Sequence, residues 1–298
     1  MSHRALINGT AYEIGGGRTL VGGTGYKIDK GRTLVGGTAY NVDFFYIPPL
    51  SQCTPEQVQV AAKSGQAPNY WSIGDRIGIY INGTFGGLSL SGTYYAFILG
   101  FNHNSNIEGN NTVHFQIGKD SSGTDIAFVY NHGDNSTGFY FVSDVYTQIG
   151  WAGSVMRQTI CPAFLSAMPL TWQNVIKPCT KYSDNVGNLK SASTAADVTS
   201  TSDKIWLLSE FEVYGFQKRA NVAEQNYQRQ YTYYANGNNR LRYYHTNTSK
   251  YANVWLRSCY AYSYVGYFCM ISSGYDSNGA GHLHGRTSQG FSPCFMVG

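Results

Sequence analysis

The chain has 298 residues, long enough to bury a large core without disulfide staples. Charged residues make up only 13% while aromatics reach 15%, led by 25 Tyr, so the surface is expected to be neutral-polar and Tyr-rich. A net charge of +4 supplies no basic stripe dense enough to neutralise a row of phosphates, and a mean hydropathy of −0.28 without a long apolar run argues against membrane insertion.

The N-terminus runs from Met1 and Arg4 straight into a Gly-rich repeat with no apolar signal region, so synthesis is expected in the cytoplasm without standard secretion. Leu6, Leu20 and Leu34 open three similar copies spaced by 14 residues. Each copy pairs a short apolar strand with a Gly-Thr turn and a second, alternating strand (Tyr12/Ile14, Tyr26/Ile28, Tyr40/Val42), which predicts a β-meander over residues 1–43. Such a ribbon has little apolar area of its own, so attachment or oligomerisation is its expected role. Residues 44–69 read as a connector: Pro48 and Pro49 break the strands, Thr54 caps a helix with Pro55 in its first turn and Gln57 completing a capping box, and Gly65 stops it.

From Tyr70 the pattern is strand-rich. Strands are predicted from Arg76 to Ile81, Tyr94 to Phe101, Val113 to Ile117, Ile126 to Tyr130 and Phe139 to Val142, in an antiparallel sheet. After Trp151 the apolar period changes, and two short helices split by Pro162 are expected before Pro169. The run Ile205 to Leu208 is wholly apolar, and Asn221 to Tyr234 reads as a polar helix with Tyr227, Tyr231 and Tyr234 on one face. The main domain, residues 70–298, is therefore α+β.

The last part of the chain, about 255–298, differs in kind. Tyr260, Tyr262, Tyr264 and Tyr267 crowd together among small residues, and Tyr with Ser and Gly is the composition of adaptable binding surfaces, because Tyr offers contact area with few torsions to freeze. Between Cys259 and Thr287 there is no Lys, Glu, Gln or Trp and one Met, Met270. Those absent types are the ones that pyrimidine-ended codons cannot encode, the bias expected of Asn codons randomised at their adenines. The six cysteines show no C-x-x-C pair and read mainly as buried thiols.

Several segments together carry a resemblance: Tyr70 to Asp75, Ile98 to His103, Gly150–Trp151 with Met156–Arg157, Asp203 to Glu210 with Glu212, Trp255–Leu256–Arg257–Ser258, and Gly290 to Phe295. Over roughly residues 70–298 the chain resembles a family of gut-bacterial and phage domains similar to the variable proteins of diversity-generating retroelements, which have a C-type-lectin fold. The N-terminal repeat is similar to repeats of phage tail and virion proteins. The resemblance implies fixed core residues at Trp255, Leu256, Phe268, Ile271, Phe291 and Phe295. It implies a display face of Tyr260, Tyr262, Ser263, Tyr264, Tyr267, Met270, Ser272, Tyr275, Ser277, His282, His284 and Arg286. Departures are Met270, which lies outside the encodable set, Cys259, where the family often has Pro, and Cys294, where Gly is common.

Other chemistry has fewer signals. His282 and His284 alternate onto one strand face but lack a third metal ligand of clear spacing. Glu210 and Glu212, read as strand residues, would with Asp203 or Asp75 offer a carboxylate site for calcium, although the sugar-binding triplets of calcium-dependent lectins are absent; no cofactor is expected. The formylglycine-generating enzymes share a related fold and use cysteines, which makes Cys259, Cys269 and Cys294 the candidate thiols for that activity, without a base beside them. No hydrolase elbow, phosphate loop, metalloprotease or dinucleotide motif appears.

The expected function is a non-enzymatic receptor-binding protein of a phage virion, recognising a host surface protein or glycan through a diversified face. Its repeat would anchor it to virion proteins or to other copies, a homotrimer being the resemblance-based expectation. The alternative is a structural virion or envelope component whose Tyr-rich face contacts neighbouring subunits.

Overall fold

A computed structural model describes residues 47–130, 138–142, 149–186, 194–262, 266–274 and 279–298, together with the backbone of six N-terminal strands. The chain divides into two units, Met1–Pro48 and Pro49–Gly298. No helix among the described residues is long and apolar enough to cross a membrane.

In the first unit, β1 (Arg4–Ile7) pairs antiparallel with β2 (Thr10–Glu13), β3 (Arg18–Val21) with β4 (Thr24–Lys27), and β5 (Lys30–Val35) with β6 (Thr38–Asp43). The repeat is thus legible copy by copy. Among the described residues, however, each copy forms its own two-stranded sheet, where a meander was expected.

The second unit begins before Tyr70. Helix α1 (Pro55–Lys63) has the expected capping box, with Thr54 Oγ1 accepting from the Gln57 amide at 3.3 Å and Gln57 Oε1 accepting from the Thr54 amide at 2.9 Å. It is not a free connector: Val58, Ala61 and Ala62 are buried where α1 packs on α5 (Leu170–Val175) and on the C-terminal strand β19 (Cys294–Val297). A short α2 (Ala67–Tyr70) follows.

The main sheet has five antiparallel strands, β7 (Arg76–Phe85), β8 (Leu88–Phe101), β9 (Val113–Lys119), β19 and β11 (Ile176–Lys177), with order β7-β8-β9-β19-β11. The C-terminal strand therefore lies inside the sheet, between β9 and β11. The Gly290 to Phe295 segment explains itself: Phe291 packs with Phe85, Phe139 and Phe164, while Phe295 stacks on Phe115 at 5.1 Å and meets Trp172. Gly290 approaches the chain so closely that a Cβ there would lie 2.5 Å from the Asn253 carbonyl oxygen.

Around this sheet lie α3 (Ser105–Glu108), the three-stranded β10 (Ile126–Ala127), β14 (Arg242–Tyr244) and β15 (Asn247–Ala252), and the pair β12 (Cys179–Asp184) with β13 (Val198–Asp203). A second three-stranded antiparallel sheet is formed by β16 (Val254–Cys259), β17 (Tyr267–Ile271) and β18 (Ala280–His284). The described chain is α+β, dominated by sheets with short helices.

Three expectations need correction. Phe139 to Val142 make no strand, because the amides of Phe141 and Val142 both donate to the Gly285 carbonyl and the rings enter the core. Pro162 does not split two helices: a π-helical turn, Met156–Ile160, runs into α4 (Cys161–Ala167), with the Cys161 amide donating to Met156 O and the proline in the first α turn. The span Asn221 to Tyr234 is a 3-10 turn, Val222–Asn226, and a separate α7 (Thr232–Ala235). Tertiary bonds break it, since the Tyr231 amide donates to the Glu212 carbonyl and not to residue 227. Tyr231 and Tyr234 are buried, whereas Tyr227 stacks on Tyr182.

Candidate functional site

The sheet β16-β17-β18 decides which C-terminal residues reach the surface. Residues opposite one another across antiparallel strands share a face, and the face alternates along each strand. Tyr267 pairs with His284 and Cys269 with His282, so Tyr267, His282 and His284 lie on one side. Phe268 and Met270 lie on the other, where Trp255 pairs with Met270 and Phe268 stacks on Phe141 at 3.9 Å.

Burial corrects two placements. Met270 is 1% exposed and Ser272, two residues on, is 3% exposed with its amide donating to the Gly279 carbonyl; neither belongs to a display face. Tyr260 is only 9% exposed and stacks flat on His282 with centroids 4.0 Å apart, which makes it the floor of the aromatic cluster. Tyr262 lies over that floor at 5.3 Å and is 36% exposed. Tyr267 completes the group, 5.1 Å from His284 and 6.0 Å from His282. Tyr267, His282, His284 and Arg286 are half-buried. Ser263, Tyr264, Tyr275 and Ser277 lie outside the described residues.

The segment from Glu210 to Ala220 borders the cluster. Glu210 and Glu212 sit on helix α6 (Glu210–Tyr214), not on a strand; Ser209 caps it in a capping box with Glu212, and Gly215 ends it at a φ of +79°. Buried Glu210 uses Oε1 to accept the amides of Lys218, Arg219 and Ala220 at 2.7, 2.7 and 2.8 Å, shaping a tight loop. Ala220 bridges to Tyr260, and the Ala261 amide donates to the Arg219 carbonyl at 2.9 Å. The His282 imidazole is lowered from its ordinary pKa by burial and by the nearby positive charge of Arg219.

Beneath the sheet lies a fully buried ionic network. Lys181 Nζ donates to Glu108 Oε1 and Glu212 Oε1, each at 2.9 Å, and to the Tyr231 hydroxyl at 3.0 Å, with Trp206 below it at 4.6 Å. Arg257 donates to Glu212 Oε2, to the Leu207 carbonyl and to Ser183 Oγ. Burial opposes the charged form of Lys181, yet Cys179, Glu108 and Glu212 raise its pKa overall. Burial likewise opposes ionised Glu212, but Arg257 and Lys181 hold its carboxyl well below the usual range. Burial pushes Glu108 up despite Lys181, and it pushes Glu224 up to about 7, although Ser258 Oγ donates to Glu224 at 2.6 Å and the Asp184 amide at 2.9 Å.

The proposed carboxylate group is not assembled. Glu212 faces the two cations and Glu210 the loop amides. Asp203 takes Arg157 and Trp151, and Asp75 takes the Ser72 amide. Two groups do have ligand atoms within 4.8 Å of one another, Glu108/His114/Cys179 and His103/Glu108/Glu212, but the Lys181 ammonium already engages Glu108 and Glu212. Burial holds the thiols of Cys259, Cys269 and Cys294 well above their ordinary pKa, the reverse of what activates a nucleophilic cysteine. Among the described residues no disulfide is formed, and every cysteine but Cys53 is buried.

Sequence reasoning missed this network because Lys181, Glu108 and Glu224 sit far apart in the chain and carry no motif. Arg257 was the one visible signal, a cation inside the apolar strand Trp255–Leu256–Arg257–Ser258. No curated protein and no solved structure matched the chain. A family model described as Domain of unknown function (DUF6273) matches residues 137–297, which takes in α4 to α7 and the whole β16-β17-β18 sheet with its aromatic cluster. The chain belongs to the DUF6273 family.

Proposed function

We propose that the chain is a non-enzymatic ligand-binding protein, carried on a phage virion, whose C-type-lectin-like domain meets a host surface protein or glycan through the aromatic cluster of Tyr260, Tyr262, Tyr267, His282 and His284. The observation that carries this reading is the division of the β16-β17-β18 sheet. One side holds Trp255, Phe268 and Met270 in the core; on the other Cys269 and Ile271 are buried as well, but its end at Tyr267, His282 and His284 carries clustered, half-buried aromatic rings beside the exposed Tyr262. Rings so presented offer broad contact area without new side-chain ordering. The codon-type bias of residues 259–287 supports diversification of that side by a diversity-generating retroelement, and the buried ionic network gives a frame that survives it. The N-terminal hairpins would anchor the protein or assemble copies, a trimer among the options, and raise weak single contacts to useful avidity.

The test is a Tyr262→Ser/Tyr267→Ser variant of the full chain in an adsorption assay on host cells. Loss of adsorption with an unchanged Tm supports the reading. Unchanged adsorption refutes it, and a large fall in Tm would make these rings structural.

A further inference from the structure

We propose that a cleft between the π-helical turn Met156–Ile160 and the end of β13 is a second ligand site, distinct from the aromatic cluster, which takes a carboxylate-bearing sugar unit such as a uronic acid. It gathers segments of the resemblance that the aromatic cluster does not use: Trp151, Met156–Arg157 and Asp203–Lys204.

The cleft encloses about 460 Å³, inside the ordinary range of roughly 300–1,000 Å³ for small-molecule sites. Arg157 is locked in place before any ligand arrives. Its Nε donates to Asp203 Oδ1 at 2.6 Å and its Nη1 to the Ala152 carbonyl at 3.2 Å. Asp203 is fixed in turn, with Oδ2 accepting from Trp151 Nε1 at 2.8 Å and from Thr201 Oγ1 at 2.6 Å. Among the described residues Nη2 of Arg157 has no partner. Lys204 lines the same cleft, and its ammonium has only a long 3.4 Å bond to the Gln173 carbonyl.

The cleft is lined by two cations, Arg157 and Lys204, and one carboxylate, Asp203, which is engaged by Arg157, Trp151 and Thr201, leaving a net positive charge in a partly enclosed hollow. That field favours an anion, and guanidinium with ammonium suits a carboxylate. Pro162, Leu165 and Ile205 supply an apolar wall for the C–H face of a sugar ring, while Ser202 offers a hydroxyl and Gln158, whose Nε2 donates to the Ala152 carbonyl at 3.0 Å, offers Oε1 to its hydroxyls. The π-helical turn carrying Arg157 and Gln158 is itself a feature that recurs at functional sites. Asp203 acts as a positioning residue, through Arg157.

Titration calorimetry of the full chain with galacturonate, galactose and inorganic phosphate tests the proposal. Galacturonate should bind, with galactose and phosphate each weaker by about tenfold or more. Lys204→Glu and Lys204→Gln, at an exposed side chain, should keep the wild-type Tm and weaken galacturonate by at least about tenfold and a few-fold respectively. Tyr262→Ser/Tyr267→Ser should leave galacturonate binding unchanged, whatever it does to host adsorption. The proposal is overturned by no galacturonate binding, by equal binding of galactose or phosphate, by indifference to both Lys204 variants, or by loss of the binding in the tyrosine variant.

Discussion

Replacing Lys181 by Met is the sharpest test of how this fold is held. The ammonium is fully buried and donates to Glu108, Glu212 and the Tyr231 hydroxyl; methionine keeps most of its volume and removes its charge. Glu212 retains Arg257, so the group left without a cation is Glu108, buried in α3, whose neighbour His114 at 3.6 Å is kept neutral by burial. Removing one partner of such a pair costs about 3–5 kcal/mol, because the surviving charge stays desolvated. At about 2–4 °C per kcal/mol for a unit of this size, the Tm should fall by about 6–20 °C near neutral pH. A Glu108→Gln/Lys181→Met double variant should recover much of that loss, since no unpaired charge remains. The penalty is also pH-dependent. Burial already raises Glu108, and without Lys181 its folded pKa rises further above the unfolded value, so the folded form holds the proton more tightly. Stability is then greatest at low pH and is lost as pH rises through that folded pKa. Calorimetric melts of the wild type and the two variants across pH measure this. A single variant that melts within a degree or two of wild type, or a double variant no better than the single, would show that the network contributes no stability.

Other outcomes follow from the same contacts. Glu224 has a folded pKa of about 7 against about 4.3 unfolded, so its contribution is fully present below the unfolded value and is lost as pH rises through about 7. The span corresponds to roughly 3–4 kcal/mol, and Glu224→Gln should flatten that part of the stability–pH curve; an unchanged curve refutes the assignment. Met270→Ser should destabilise the chain by about 2–4 kcal/mol through a cavity and a buried hydroxyl, whereas Tyr262→Ser should change stability by no more than about 0.5 kcal/mol. Urea titrations of the two variants compare them directly, and equal losses would mean that the sheet has no outer face.

Local chemistry made a large part of this molecule readable in advance. The three-copy repeat, the Thr54–Pro55–Gln57 helix start and the strands after Arg76 each follow from neighbours in the chain, through turn residues, caps and period-two alternation. Trp255, Phe268, Phe291 and Phe295 were expected in the core from the family resemblance, and all four are buried. The candidate site was readable only in outline. Tyr262, Tyr267, His282 and His284 were named from residue type and the family resemblance, and so were Met270 and Ser272, because composition does not record which way a strand faces.

What sequence alone determined was therefore composition, repeat and local element type, all properties of residues within a turn or two of each other. Tertiary structure decided the rest: the packing on both sides of β17 that buries Met270 together with Cys269 and Ile271, the Tyr231–Glu212 backbone bond that breaks a helix, and the meeting of Lys181 with Glu108, Glu212 and Tyr231. Each brings together groups distant along the chain, where burial in a low-dielectric interior makes pairing obligatory, and no local pattern encodes which partners will meet.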